Sequence, residues 1–229
     1  MMRMSVAVAL VAALSSAKAS AATSTWSGDP DHSSAQFAVR HLGLSTVRGE
    51  MGKVTATLTY DDKDVTKSKV EATVDTKAIN TREEKRDNHL KSDAFFNVEK
   101  FPEMKFVSTK ITKVSKGKLK VTGDLTIRDK TKSTTLDVDF PGTQVTAYGD
   151  TRMSASATGK INRQDYGVSW NSTVDTGGLL VGDEVTITLD MEFIKAKTDA
   201  AAAATASPAA AASPAAAAVS PKPAATKPK

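Results

Sequence analysis

The segment EVTITLDMEF, residues 184–193, alternates strictly between polar and apolar side chains. Its apolar members are Val185, Ile187, Leu189, Met191 and Phe193. Successive side chains of a β-strand point to opposite faces of the sheet, so this run predicts a strand with one buried face and one wet face. A single wet face is typical of antiparallel sheets, whereas strands of parallel sheets are usually buried on both faces.

The same alternation recurs along most of the chain. Further runs lie near residues 37–42, 53–58, 69–75, 104–114, 119–127, 135–140 and 152–161. Together they predict about eight strands, with neither an internal repeat nor the long helical crossovers that parallel sheets need. The predicted fold class is therefore all-β, an antiparallel eight-stranded barrel with one short lid helix.

The lid helix is predicted near Arg82 to Lys91, within the segment TREEKRDNHLKSDAFF, residues 81–96. Thr81 followed by Glu84 fits a capping box at the start of a helix. Four residues share one face at helical spacing: Arg82, Arg86, His89 and Leu90. One interpretation is a solvated helix laid over the barrel end. The other is a lid whose guanidinium and imidazole groups meet an anionic head group, because arginine binds phosphate and carboxylate through two donors at once.

Both ends of the chain differ from the body in composition. Residues 1–21 combine Arg3, an apolar run too short to span a bilayer, and small residues suited to a signal peptidase, so they predict a removable signal peptide. Residues 198–229 are rich in Ala, Pro, Ser and Lys and predict a disordered tail, because they cannot bury enough apolar surface to offset the ordering entropy. Residues 22–197 remain as one barrel domain. We expect export to a bacterial periplasm, with secretion as the alternative.

Charge and cysteine content narrow the classes of partner. The leader carries two positive charges and the tail a net two, so only about one of the chain's +5 charges belongs to the body. This balance does not favour a nucleic-acid partner. The chain has no cysteine, which excludes disulfides and a cysteine-linked lipid anchor. No segment after the leader predicts a stable membrane span.

The apolar faces of several strands place small residues between larger ones. Examples are Val54-Ala56-Leu58, Val70-Ala72-Val74, Val121-Gly123-Leu125 and the row Ala155, Ala157, Gly159. If these residues point inward, the middle of the barrel lacks side-chain volume and can hold one slender apolar ligand. The alternative is that Trp170, Phe95, Phe96 or a returning loop fills the space, because protein interiors normally pack densely.

Groups that carry chemistry are sparse. His32, His41 and His89 lack the close spacing of a local metal motif, and the run Asp31-His32-Ser33-Ser34 lacks a glycine-flanked nucleophile turn. We therefore predict no enzyme activity and no cofactor. Two alternatives stay open, a metal-dependent hydrolase using the three histidines and a structural envelope protein with a filled barrel.

Six motifs in a characteristic order extend this interpretation. They are Asp31-His32-Ser33 with Phe37, His41, Ser45 and Gly49; Asn80-Thr81 with Arg86-Asp87 and His89-Leu90; Asp93-Ala94-Phe95-Phe96-Asn97-Val98 with Phe101-Pro102; Gly123-Asp124-Leu125-Thr126-Ile127-Arg128; Ile161-Asn162-Arg163 with Tyr166-Gly167 and Trp170; and Val181-Gly182-Asp183-Glu184-Val185. On these motifs the body resembles the YceI-like family of exported bacterial proteins. The resemblance implies a lipocalin-like barrel that binds or carries a long-chain isoprenoid or similar amphipathic lipid. The chain departs from the family pattern at Met51, Asp129 and Tyr166.

The resulting hypothesis is a periplasmic protein that holds such a lipid for carriage or storage. The predicted apolar lining is Val54, Leu58, Val74, Phe106, Leu125, Ala157, Leu189 and Trp170, with Phe95 and Phe96 at the helix end. The predicted head-group partners are Arg86 and His89, to which the resemblance adds His32, His41 and Arg163. The alternative for Arg86 is an ion pair with Asp87 or Asp93, and for His41 a bond to a neighbouring strand. Pairing of two barrels into a homodimer stays open.

Overall fold

The structure is a computed structural model and describes residues 23–147, 149–173 and 179–197. Its strands are β1 (Thr23–Gly28), β2 (Ser34–His41), β3 (Ser45–Glu50), β4 (Val54–Asp61), β5 (Lys69–Asp75), β6 (Glu103–Ser115), β7 (Lys118–Ile127), β8 (Lys130–Val145), β9 (Thr151–Asn162) and β10 (Val181–Lys195). One α-helix, α1 (Glu84–Lys91), and two 3₁₀ turns (Val65–Lys67 and Arg163–Tyr166) complete the described secondary structure. The predicted signal peptide and C-terminal tail lie outside the described residues.

Eight of the ten strands close into an antiparallel barrel, as predicted. Strands β4 to β10 pair in sequence order, and β1 joins the two ends of this series by pairing with both β4 and β10. The two further strands extend the sheet, because β2 pairs with β10 and β3 pairs with β2. Strand β10 therefore divides one edge between two partners: Phe193–Lys195 face β1, and residues 181–190 face β2.

The prediction of which strands close the barrel was wrong at one position. The run near residues 37–42 forms β2, which lies outside the closed ring, and the ring is completed by β1 instead. Strand β1 carries one large apolar residue, Trp26, among Thr, Ser and Gly, so its alternation is too weak to detect. Strand β3 was missed for the same reason, since Val47 is its only large apolar residue.

The strand directions give the barrel two different ends. At one end, called the turn end, Lys116 and Gly117 join β6 to β7 in a tight turn, where Gly117 has a positive φ of 72°. Trp26, Met153 and Phe193 form a buried turn-end cluster near it.

At the opposite end, called the helix end, Leu90 of α1 and both Arg163 and Tyr166 of the second 3₁₀ turn border the barrel interior. Four buried residues form the helix-end cluster: Phe95, Ile127, Tyr166 and Val168. In the described part of the chain, α1 is far too short and too polar to cross a membrane.

Candidate ligand cavity

The barrel encloses a cavity of about 280 Å³. Its wall reaches from the helix-end cluster to Phe193 of the turn-end cluster and consists almost entirely of apolar side chains. The polar side chains that border it are Gln36, Tyr60, Ser68, Lys105, Thr134, Arg163 and Tyr166. An apolar ligand would leave water for a surface of similar polarity, whereas a strongly polar ligand would lose its hydrogen bonds to water.

Most of the predicted apolar lining does border this cavity. The residues concerned are Val54, Leu58, Val74, Phe95, Phe96, Phe106, Leu125, Ala157 and Leu189. The inward side chains of β10, such as Ile187 and Leu189, stay only half-buried because empty space remains on their inner side. The alternation in the sequence thus identifies the correct face of each strand. Contact of these residues with a ligand stays a prediction.

The small residues contribute to the cavity in a way that was predicted only in part. Ala56 and Ala72 are directly opposed on β4 and β5, and both border the cavity. The glycines do not add empty space. A Cβ on Gly123 would lie 2.4 Å from the Phe106 ring, and one on Gly159 would lie 2.5 Å from a methyl group of Leu136. The inference of empty space at the glycines is therefore wrong, because the side chain on the neighbouring strand already covers each one.

A hydroxyl pair supplies a buried polar point on the wall. The Tyr166 side chain is 2% exposed, and its hydroxyl lies 3.0 Å from the Thr134 Oγ1. Burial raises the pKa of the Tyr166 hydroxyl, so this group stays protonated. The bond between the two hydroxyls uses one of their two protons. A ligand hydroxyl or carbonyl therefore has one donor available here.

Arg163 borders the cavity but has no donor left for a head group. Its Nε donates to the Gly182 carbonyl at 2.9 Å, and Nη1 donates to the carbonyls of Val168 and Trp170 at 2.6 and 2.8 Å. Its Nη2 donates to the Val181 carbonyl at 3.3 Å and to an Asp183 carboxylate oxygen at 3.0 Å. These bonds use all five guanidinium N–H groups.

The prediction of Arg163 as a head-group partner is therefore wrong. Desolvation lowers the pKa of this 5% exposed side chain, and the Asp183 carboxylate opposes that shift. Arg163 instead joins the loop after the second 3₁₀ turn to the start of β10.

The start of α1 also differs from the prediction. The helix begins at Glu84, and the Glu83 carboxylate caps it by accepting two backbone amides of the first turn at 3.1 and 2.6 Å. The predicted capping box between Thr81 and Glu84 is wrong, because the Thr81 hydroxyl bonds other side chains. Arg82 precedes the helix with φ 66° and does not belong to the predicted helical face.

Arg86 holds the segment before α1 in place. Its Nε donates to the Thr81 hydroxyl at 2.7 Å, and Nη2 donates to the Thr81 carbonyl at 2.9 Å. Asp87 accepts the amide and hydroxyl protons of the same threonine. Arg86 thus meets Asp87 through Thr81 and not in the direct ion pair considered above. Three of its five N–H donors take no part in these bonds.

His89 belongs to an aromatic group at the helix end. Its ring packs edge-on against Phe95 and Trp170, with centroid distances of 4.9 and 4.7 Å. The centroids of the Phe95 and Trp170 rings are 5.2 Å apart. Phe95 is buried and borders the cavity, whereas Trp170 is half-buried and does not. The expectation that Trp170 faces the interior is therefore wrong, because Phe95 occupies the inner position.

The other two histidines lie away from the cavity wall. His41 ends β2, opposite Ser45 and Val181. His32 is exposed between β1 and β2, where its Nδ1 lies 2.9 Å from the Asp29 carboxylate. Hydrogen bonds from His32, from a backbone amide and from Arg152 lower the pKa of Asp29 to about 2, and the bond to Asp29 raises the pKa of His32.

Asp29, His32 and Glu192 are the group of described residues whose ligand atoms lie close enough together to hold a metal ion, all within 4.8 Å. The Arg152 guanidinium already lies among them and pairs with Asp29 at 2.9 Å and with Glu192. A cation here would face that positive charge. His41 and His89 lie on other elements, so the described residues do not bring the three histidines into one site.

The family model of the YceI-like domain matches residues 26–193. This chain belongs to the YceI-like family. A UPF0312 protein of Staphylococcus aureus is 36% identical over 166 residues, which cover 72% of this chain and 94% of that protein.

Solved structures share the YceI-like barrel. BcnA of Burkholderia cenocepacia has a TM-score of 0.63 at 21% identity, covering 72% of this chain and 98% of its own. The YCEI protein of Campylobacter jejuni has a TM-score of 0.59 at 30% identity, covering 69% and 90%. A polyisoprenoid binding domain from Saccharophagus degradans has a TM-score of 0.52 at 12% identity, covering 75% and 98%.

Several wall residues of this YceI-like barrel were missed from the sequence. They include Ala35, Phe37 and Val39 of β2, Tyr60 of β4, and Met51, Val65 and Val168 in connecting segments. The alternation of Ala35, Phe37 and Val39 was a usable signal. The residues in connections lack any periodic signal, because a loop places a side chain by its particular backbone path.

Proposed function

We propose that this chain holds a long-chain isoprenoid or a similar amphipathic lipid inside the barrel and carries or stores it in the periplasm. The apolar cavity of about 280 Å³ is the observation that supports this proposal. Its volume approaches the lower limit of typical ligand pockets, roughly 300 Å³. A narrow chain fits such a space better than a broad ring system.

The apolar part of the ligand supplies most of the affinity. Burial of apolar surface contributes roughly 25 cal/mol per Å², so a chain that covers the cavity wall gains several kcal/mol before the cost of ordering it. Ala56, Ala72 and Ala157 keep the space open, because a longer side chain at any of them would enter the cavity. Their small size is thus part of the proposed site.

The polar end of the ligand belongs at the helix end. Arg86 retains three free donors on α1, and His89 is exposed beside Phe95, which borders the cavity. Within the cavity, the Thr134–Tyr166 pair offers one further donor. His32 lies outside the cavity wall, and the donors of Arg163 are all engaged, so neither has a place in the proposed head-group site.

The family resemblance supports the ligand class. The Saccharophagus degradans domain is described as polyisoprenoid binding, and it shares the fold with this chain. At 12% identity this likeness is one of fold, so the isoprenoid assignment here stays a proposal.

Native mass spectrometry of protein purified from its own host, followed by organic extraction, tests the proposal. We expect a bound lipid of defined mass in the wild type. In Ala157→Trp, the added ring enters the cavity between Val138 and Leu189, and we expect that lipid to be lost. Thr158→Trp is the matched control, because it places the same ring on the outer face of the same strand. Ala155→Phe is a second variant, at a half-buried wall position with room to spare.

Three results would contradict the proposal. Stoichiometric zinc would favour the hydrolase, and a reproducibly empty wild type would favour a structural protein. Unchanged lipid in folded Ala157→Trp and Ala155→Phe would show that the lipid lies elsewhere than in this cavity.

A further inference from the structure

Exposed apolar side chains concentrate at the helix end. The described residues leave five large apolar side chains exposed: Leu42, Leu44, Val114, Val145 and Leu179. Three of them are neighbours, because Leu42 and Leu44 form the turn between β2 and β3, and the Leu42 amide donates to the Leu180 carbonyl at 2.9 Å. Leu44 is 80% exposed. Single exposed leucines are ordinary, but a group of three at one tip indicates an interaction site.

The turn itself favours other residues than leucine. Leu42 and Gly43 have φ of 56° and 69°, and the Leu44 amide donates to the His41 carbonyl at 3.0 Å. Asn-Gly is the preferred pair for a tight hairpin turn with two positive φ angles. Leucine at the first position costs conformational energy and exposes apolar surface. Neither the turn nor the core explains this residue, which is typical of a functional position.

Arg40 keeps the turn rigid. Its Nη2 donates to the carbonyls of Gly43 and Leu44 at 2.7 and 2.9 Å, and Nη1 donates to the Thr46 hydroxyl at 3.0 Å. The turn therefore presents Leu42 and Leu44 outward in one conformation. A rigid apolar tip loses little entropy when it docks.

The surroundings of the tip are basic. Residues 32–49 contain Arg40 and Arg48 and neither Asp nor Glu. The nearest acidic residues on β10 have cationic partners: Asp183 pairs with Arg163 at 3.0 Å, and Glu184 pairs with Lys160 at 2.7 Å. An apolar tip with basic flanks is complementary to an anionic lipid surface.

We propose that the β2–β3 turn, with Leu179 beside it, docks this protein on an anionic lipid bilayer. The leucines enter the acyl boundary, and the flanking arginines meet lipid phosphates. Docking presents the helix end of the barrel to the membrane, so a lipid can pass between bilayer and cavity without crossing water. This step rests on the proposed function, since it gives the lipid its source or destination.

Vesicle co-sedimentation of the full chain, purified from its own host, tests the docking surface. The tested variant is Leu42→Asn with Leu44→Ser, which should fold because asparagine suits the turn. The matched control is Val114→Ser with Val145→Ser, which removes two exposed apolar side chains at the turn end. With phosphatidylcholine–phosphatidylglycerol vesicles, we expect the tip variant to bind about tenfold more weakly or worse, and the control to bind like the wild type.

A fluorescent label locates the contact independently. Because the chain has no cysteine, Leu44→Cys and Val145→Cys each create a unique site for an environment-sensitive dye. On addition of the same vesicles, the emission of the dye at position 44 should shift to the blue, and that at position 145 should not.

Several outcomes would overturn docking without touching the proposed function. These are a wild type that does not bind vesicles, an equal loss of vesicle binding in the tip variant and the control, and a tip that mediates dimerisation in place of vesicle binding. Lipid content by native mass spectrometry is read separately in each variant. A tip variant that keeps its lipid but loses vesicle binding supports both proposals, whereas an empty wild type that still binds vesicles contradicts only the proposed function.

Discussion

The two ends of the barrel are held together by different forces. At the turn end, Trp26, Met153 and Phe193 are 2–4% exposed and pack against one another. The helix end also has a buried cluster, of Phe95, Ile127, Tyr166 and Val168, but every residue of α1 is at least partly exposed, and arginine side chains bond the backbone of the adjoining segments. Packing of large side chains is lost only when the strands separate. Bonds from a side chain to a loop can break while the strands stay paired, so the helix end is the one that can open locally.

Trp26→Ala should give the largest effect and break the turn end. Removal of this buried ring should lower the free energy of unfolding by about 3–5 kcal/mol, measured by urea titration. Trp170→Ala is the matched substitution at the helix end, where the ring is half-buried. We expect about half that loss or less, because less apolar surface returns to water. Equal losses would remove the contrast between the two ends.

Arg163→Met should loosen the helix end without melting the barrel. It leaves four backbone carbonyls and Asp183 without this partner, and an unsatisfied buried acceptor costs about 1–3 kcal/mol. We expect a loss of about 2–4 kcal/mol, with hydrogen exchange much faster near residues 163–171 than in β1.

Arg163→Lys provides the control for that variant. It keeps the charge but reduces five donors to three in a different geometry, so it should recover only part of the stability. Full recovery would mean that charge, and not the five-bond arrangement, holds this segment.

Arg128→Met should have a smaller effect at the same end. Arg128 donates to the carbonyls of Phe95 and Gly167 at 3.1 and 2.6 Å, but its buried Nε has no partner among the described residues. Methionine removes this unsatisfied group together with the two bonds, so the net loss should be about 1 kcal/mol by urea titration. Exchange of the Phe95 amide should nevertheless accelerate. Unchanged exchange there would show that the aromatic contacts alone hold Phe95.

The smallest expected effect is a pH dependence of the cluster around His32. The lowered pKa of Asp29 adds stability at pH values above 3.8, the ordinary pKa of this group. That stability is lost as the pH falls toward 2. The raised pKa of His32 adds stability at pH values below 6.5, the ordinary pKa of this group. That stability is lost as the pH rises through the raised pKa. Glu192 favours protonation of His32 and Arg152 opposes it.

Thermal unfolding of the wild type and His32→Ala at pH 3, 5.5 and 8.5 measures this effect. The difference between the two proteins should be largest near pH 5.5, because this pH lies above the ordinary pKa of Asp29 and below that of His32. A difference that does not change with pH would mean that the bond contributes nothing through titration.

The sequence predicts the barrel well because alternation reports directly on which side of a strand faces the core. Val54, Leu125 and Leu189 were placed correctly by that rule alone. Trp170 and Arg163 were not, because both lie in or beside a loop where no period applies. Thr81 is a further example. Its position in the sequence fits a helix cap, but its hydroxyl bonds Arg86 and Asp87 in the folded chain. Residue type suggests a partner, and only the fold decides which partner is near.

The divided edge of β10 also has a consequence for the order of assembly. Gly28 near the start of the domain pairs with Phe193 near its end, and β2 needs the same last strand. Loop closure over such a span makes folding slow relative to that of proteins with local contacts. Until β10 has been synthesised, β1 and β2 each lack one of their two partner strands, and the ring cannot close. A nascent chain of this design is thus expected to remain an open sheet until its final strand is complete.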